Sequence, residues 1–251
     1  MHHEYIDRFA NSDSPIHRLD PRAKIIGALI FIGTMISIPR YEVLTLVPFL
    51  LYPSILIIVS GVPLGYIAKH IALVSPFILF LAIFSPVFDT TPVVMWGGFV
   101  LTGGMFSCLS IIIKFIATVG ITLVLSSTTR FDRLLKGLGS LGIPRIILMQ
   151  LSFLYRYLFL LVDEAHRMKL ARDARSYGHS TFRFRLHTVG NIIAVLFLKT
   201  LDRAEHVYTA MVSRGFSGEM PVITPLRFRI VDSVFLISSI ALILCLRFFQ
   251  I

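Results

Sequence analysis

Two short triplets, Ala174-Arg175-Ser176 and Ser213-Arg214-Gly215, hold the residues best suited to recognition chemistry. Each sets an arginine between small residues near the end of a helical pattern. At helical spacing Arg175 shares a stripe with Ala171, Met168 and Glu164, and Arg214 with Ala210, Val207 and Arg203. A guanidinium makes charge-assisted hydrogen bonds, and small neighbours let a second surface come close. A cation in a last turn also suits the helix dipole, worth roughly 0.3–1 kcal/mol, so either triplet alone reads equally well as a solvated helix end. Two such triplets ending two comparable helices suggest two equivalent pegs, and hence a partner with two equivalent sockets.

Lys114 is the other conspicuous group. It stands near the middle of an apolar run, where a lysine costs roughly 2.5–3.5 kcal/mol on insertion scales. A functional charge and a lysine that faces the bundle or snorkels from a tilted helix both remain open, since Asp89 is about a helix length away. His2 and His3 could touch a metal ion, but His70, His166, His179, His187 and His206 are scattered and show no i, i+4 spacing with an acid. No metal site is expected. Cys108 and Cys245 lie within apolar runs and read as small buried side chains. Gly137-Leu138-Gly139-Ser140-Leu141-Gly142 lacks the Lys-Ser/Thr of a phosphate loop, and no serine elbow, HExxH motif or paired-carboxylate helix occurs. No catalytic residue is expected.

The elements that must carry these groups are mostly apolar. The chain is 251 residues long, 55% hydrophobic and only 15% charged, yet its net charge is +10. An average soluble domain is roughly 25% charged, so an ordinary soluble protein and a disordered one are both excluded. The 103 residues 25–127 contain five charges, Arg40, Glu42, Lys69, Asp89 and Lys114; the 103 residues 128–230 contain 16 Lys/Arg and 7 Asp/Glu. Four membrane-length apolar runs beside that basic block favour the positive-inside rule over nucleic-acid binding.

The runs are 25–38, 43–62 (interrupted by Pro48 and Pro53), 66–87 (containing Pro76), a fourth span near 103–125 with Trp96 as an interfacial anchor, and a last one at 231–249. The N-terminal segment carries Arg8, Arg18, Arg22 and Lys24, the Asp89 loop no basic residue. These placements predict a cytoplasmic segment 1–24, transmembrane helices 1–4 over 25–127, a cytoplasmic block 128–230 and a C-terminal transmembrane helix over 231–251. Asp20 caps a helix whose first residue is Pro21, with Arg22 and Lys24 as anchors at the cytoplasmic edge. Within the block, 131–141 reads as a short amphipathic helix on the membrane surface. Residues 144–177 form a long helix that Gly178 caps, and residues from about 188 to 214 form a second that Gly215 caps. Both long helices are too apolar to be fully solvated and too charged to span. The fold class is therefore an all-α polytopic membrane protein: about five transmembrane helices, two long cytoplasmic coupling helices and a short amphipathic one.

The order of parts resembles the transmembrane T component of energy-coupling factor (ECF) transporters over essentially the whole chain. The matching features are HRLDPRAK, the early spans, LSSTTRFDRLLKGLGSLGIPR, the DEAHRMKLARDARSYG passage and LDRAEHVYTAMVSRGFSG. The opening YIDRFANSDSPIHRLDPRAK looks most like the cobalt-type subfamily, CbiQ. The resemblance implies two crossed coupling helices whose terminal Ala-Arg-Gly-like triplets dock in grooves on two ATP-binding cassette ATPase subunits. Those triplets match Ala174-Arg175-Ser176 and Ser213-Arg214-Gly215, with Ser176 in place of glycine and Ser213 in place of alanine. It also implies that ATP is used by the partners and no cofactor by this chain, and that a separate membrane subunit captures the metal. The location implied is the cell (inner) membrane. A nickel or vitamin system is the alternative of the same kind. A stand-alone secondary transporter is the rival of another class; it needs polar groups lining a path at membrane depth, and apart from Lys114 and a few Ser/Thr these are lacking.

Overall fold

Asp20 and Pro21 open the first helix as their residue types dictate: the Asp20 carboxylate accepts the Arg22 backbone N–H at 2.9 Å, and Pro21, which has no N–H to satisfy, takes the first helical position. The structure is a computed structural model that describes residues 14–88, 92–96, 99–175, 181–218 and 228–248. The chain divides into two units, one of Gly142–Pro225 and the other of Glu4–Leu141 with Leu226–Ile251.

The larger unit is a helix bundle. Its elements are α1 (Pro21–Ser37), α2 (Val43–Leu46), a 3-10 turn (Pro48–Leu50), α3 (Leu51–Ser60), α4 (Leu64–Phe88), α5 (Gly103–Thr128), α6 (Phe131–Ser140) and α9 (Ile230–Phe248). Pro48 divides the second apolar run because it cannot donate to the turn before it, and Gly61, at φ +69°, ends that run in a left-handed cap. Between α4 and α5 lies an antiparallel hairpin, β1 (Pro92–Trp96) and β2 (Phe99–Thr102), with Trp96 paired to Phe99. Among the described residues this hairpin is the one departure from the all-α pattern. The anchor role expected of Trp96 and the polar loop at Asp89 fall outside the described side chains and residues.

The core gathers on α1. Phe31 and Met35 are fully enclosed with Leu46, Phe49, Tyr52, Ala117 and Ile243, and the Phe31 ring sits 5.0 Å from that of Tyr52. α1 runs parallel to α9: the backbone N–H of Asp20 meets Asp232 at their starts, and the Arg247 guanidinium meets Ser37 Oγ at their far ends. α1 runs antiparallel to α5, since Lys24 reaches Thr128 and Ile38 is reached by Lys114. α4 packs chiefly on α5 and turns Leu73, Phe77 and Ile83 outward, each more than 60% exposed. In water such a face is unfavourable; in lipid it is the required one.

The smaller unit holds α7 (Arg145–Arg175) and α8 (Phe182–Ser213), about 46 and 48 Å long at 1.5 Å per residue. α8 begins six residues before the expected Thr188, because nothing in Phe182-Arg183-Phe184-Arg185 breaks a helix. α7 is described to Arg175, so the expected Gly178 cap lies outside the described residues.

By length and composition six helical segments among the described residues could cross a membrane: Val43–Ser60, Leu64–Pro86, Gly103–Thr128, Arg145–Arg175, Phe182–Ser213 and Ile230–Phe248. α1, at 17 residues, falls just short of that length, yet it lies parallel to α9 and antiparallel to α5 and so crosses with them. α7 and α8 qualify through their apolar halves. The chain is a multi-pass membrane protein.

Candidate functional site

The two arginines stand at the ends of the two long helices. Ala174 and Arg175 are the last described residues of α7 and are exposed; Ser176 lies outside the described residues. Arg172, one turn back from Arg175, is held to Asp173 at 2.5 Å. Ser213, Arg214 and Gly215 are all exposed at the end of α8. Gly215 has φ +81°, its N–H donates to the Val212 carbonyl at 2.9 Å, and the Phe216 N–H donates to the Met211 carbonyl at 3.1 Å. That pair of bonds is a Schellman motif, which demands a left-handed residue after the cap. Gly215 is thus fixed by the helix ending, Arg214 occupies the cap, and Ser213 turns its hydroxyl back to the Thr209 carbonyl at 2.9 Å. The described link between α7 and α8 lies away from these ends. Lys199 Nζ donates to Glu164 Oε1 at 2.6 Å, with Arg167 3.6 Å from the same carboxylate.

Lys114 is half-buried, and its ammonium donates to the Ile38 carbonyl at 2.6 Å. Ile38 is the C-cap of α1, where carbonyls lack intrahelical partners and the dipole end is negative. The cation therefore binds an orphan acceptor within the bundle and ties the middle of α5 to the end of α1.

At the opposite end of α1 the structure shows a buried polar joint that the sequence reading does not contain. Asp232, 2% exposed, accepts the Asp20 backbone N–H through Oδ1 and the Arg229 backbone N–H through Oδ2, both at 2.7 Å. One carboxylate thus holds the starts of two helices that are 212 residues apart. Lys24, expected as an anchor at the cytoplasmic edge, is buried. Its ammonium donates to the Thr128 carbonyl at 2.9 Å and to Thr129 Oγ1 at 3.1 Å, fastening the α5–α6 junction to α1. Ile16, His17 and Leu19 are buried just ahead of the joint, where Ser14 Oγ and His17 Nδ1 share a 2.6 Å hydrogen bond.

α6 completes this end. A Cβ on Gly137 would come within 3.0 Å of Ile25 Cδ1 and 3.1 Å of Pro21 Cβ, so the glycine is the point of closest approach to α1. Gly137 is thus the packing point of the glycine-rich stretch, while Gly142 faces open space, and α6, expected on the membrane surface, packs against the first turns of α1. A lone acid at the start of an apolar run was the signal that could have revealed Asp232, because such a residue must find partners inside. Among the described residues no three His, Cys, Asp or Glu side chains group as metal ligands. His2 and His3 lie outside them.

The spans, the lipid-facing exterior and the polar joint define a multi-pass α-helical membrane protein whose distinctive exposed groups sit on two long helix ends. Comparison with known proteins gives the family. The model of the cobalt transport protein family, CbiQ, matches residues 12–225, and the chain belongs to that family. It is 29% identical to the energy-coupling factor transporter transmembrane protein EcfT of Streptococcus thermophilus, over 85% of each chain. It is 36% identical to the cobalt transport protein CbiQ of Rhodobacter capsulatus over 100 residues, covering 40% of this chain and 41% of that one. An uncharacterized protein of Methanocaldococcus jannaschii is 25% identical over 98% of this chain and 86% of its own length. Family and relatives together make this chain a transmembrane component of an ECF-type transporter.

Proposed function

We propose that this chain is the scaffold and transmission subunit of an ATP-driven cobalt uptake system in the cell membrane. It couples two ATP-binding cassette ATPase subunits to a membrane subunit that captures the metal. The observation that carries the reading is the pair of exposed arginines, Arg175 and Arg214, ending two long helices whose apolar faces are covered by almost nothing in their own unit. A guanidinium at a helix end, free of a buried partner, suits a carboxylate or carbonyl in a partner's groove. ATP binding would close the ATPase pair, carry both arginines with it and alter how α7 and α8 meet. Their described link, an exposed Lys199–Glu164 pair, is weak enough to allow sliding. The charged second half of α7, from Asp163 to Arg175, favours a cytoplasmic position over the hydrocarbon. The metal is cargo, and ATP is consumed by the partners.

The test reverses both charges. Arg175→Glu with Arg214→Glu should abolish co-purification of the ATPase subunits and cobalt uptake together, while the variant still inserts in the membrane. Association and uptake at the level of the unaltered chain would sink the docking assignment. Cargo is decided separately, by purifying the intact complex and identifying its metal; nickel or an organic vitamin there would replace cobalt and leave the coupling role standing.

A further inference from the structure

Glu164 and Arg203 head two matching stripes that end in Arg175 and Arg214. Glu164, Met168, Ala171 and Arg175 follow at intervals of four, three and four residues, and Arg203, Val207, Ala210 and Arg214 repeat those intervals. Each stripe lies on one helix face. Each sets its last arginine 11 residues beyond its first member, an arm of about 17 Å at 1.5 Å per residue. Two equal arms suit a partner pair with two equivalent sockets, and the arms are equal when Glu164 meets Arg203. The ion pair in the structure lies one turn short of that register. Glu164 Oε1 accepts from Lys199 Nζ at 2.6 Å, and Lys199 is four residues before Arg203 on the same face of α8. The arms here are therefore 11 residues from Glu164 to Arg175 and 15 from Lys199 to Arg214. Arg203 is exposed, and its field already reaches the Glu164 carboxylate.

We propose that Arg203 is the second partner of Glu164. In the coupling stroke α8 slips one turn, about 6 Å, along α7, and Glu164 passes from Lys199 to Arg203. The slip draws Arg214 in toward the crossing and makes the two arms equal. The exchange rests on the ATPase coupling proposed above and adds the residue that positions the second register. The present pair can be given up, because the Lys199 side chain is 56% exposed and water replaces the contact at little loss. The new pair is no weaker, since a guanidinium can meet a carboxylate with two parallel hydrogen bonds. Arg167 stays 3.6 Å from the same carboxylate from within α7, moves with it and favours neither register. Nor does packing lock the first one: α8 has no buried residue and α7 has Phe159 alone.

Carbodiimide coupling of the intact complex tests it, because the reagent joins a carboxylate to a lysine amine in contact with it and gives no link to an arginine. Mass spectrometry of the peptides reads the site. In the unaltered chain the Glu164–Lys199 link should form without nucleotide and be lost with a non-hydrolysable ATP analogue. In Lys199→Arg with Arg203→Lys, which keeps every charge, a link at position 203 should appear only with the analogue. Arg203→Gln should keep its ATPase subunits, and its Glu164–Lys199 link should no longer respond to the analogue. A Glu164–Lys199 link unchanged by the analogue, in an unaltered complex that retains its ATPase subunits, would overturn the exchange and leave the docking of Arg175 and Arg214 standing. So would a link at position 203 of equal yield with and without the analogue. Loss of the ATPase subunits from Arg203→Gln would make Arg203 a docking residue and overturn its positioning role. Failure of those subunits to co-purify with the unaltered chain would defeat the coupling reading and the exchange together.

Discussion

The bundle, whose helices run from 4 to 26 residues, and the α7–α8 unit, whose two helices have 31 and 32, treat their polar groups in opposite ways. In the bundle the polar groups are buried and the apolar ones shown. Asp20, Lys24, Asp232 and Thr128 are enclosed at one end, while Leu73, Phe77 and Ile83 face outward. In α7–α8 almost nothing is enclosed: α8 has no buried residue and α7 has Phe159 alone. Its charged groups meet through an exposed pair, and Ile193, Phe197 and Leu198 remain uncovered. A buried hydrogen-bonded carboxylate allows one arrangement, because any other leaves donors unpaired. An exposed pair allows many, because water replaces it at little loss. The difference suits a rigid membrane body and a pair of helices that can slide.

That contrast can be broken, first at its strongest point. Asp232→Ala strips the partner from the Asp20 and Arg229 N–H groups at once and should lower stability by about 2–4 kcal/mol, read as an earlier thermal transition of the detergent-solubilised chain. Asp232→Asn keeps one acceptor and should lose less. An unchanged midpoint for both would mean that the bundle is not held at this joint.

Next is Lys24. Lys24→Met removes the ammonium that holds the Thr128 carbonyl and Thr129 Oγ1 and should lower stability by about 1–3 kcal/mol, read from the same thermal transition. An unchanged midpoint would mean that this side chain does not fasten the α5–α6 junction to α1.

Gly137→Val should cost about 1–3 kcal/mol by overpacking against Ile25 and Pro21. Gly137→Ala, with fewer atoms, should fall lower in that range. Tolerance of valine would mean that α6 lies loosely on the surface, as its amphipathic pattern alone suggests.

The smallest effect belongs to the other unit. Glu164→Gln should leave the thermal midpoint unchanged and reduce the salt dependence of α7–α8 contact, measured by cross-linking between cysteines placed on the two helices. A clear drop in midpoint would make the unit as fixed as the bundle and remove the basis for sliding.

Much of the fold was legible because it is written in runs. Apolar stretches near 20 residues, Pro48 and Gly215 mark helix bounds by local chemistry, and α2, α4 to α7 and α9 begin close to where those signals fall. The start of α8 was missed because aromatic and basic residues neither favour nor stop a helix. The β1–β2 hairpin was missed because an apolar run beside a longer one carries no distinct period. The helix-end arginines were legible as a pair, since their spacing and small neighbours are local. The polar joint was not. Lys24 reads as a rim anchor until Thr128, 104 residues on, is brought to it, and Asp232 has no neighbour in sequence that explains its burial.

The sequence by itself determined that this is a membrane protein, where most helices begin and end, and that two of them finish in arginines. Those properties follow from hydropathy, charge and backbone chemistry within a few residues. Only the tertiary structure decided that α1 runs parallel to α9. It also decided that Lys114 closes the end of α1 and that one carboxylate joins two distant helix starts. The reason is physical: a buried polar group is defined by the partner that replaces its water, and the partners that fix this architecture, Asp232 for the Asp20 N–H, Thr128 for Lys24 and Ile38 for Lys114, come from distant parts of the chain.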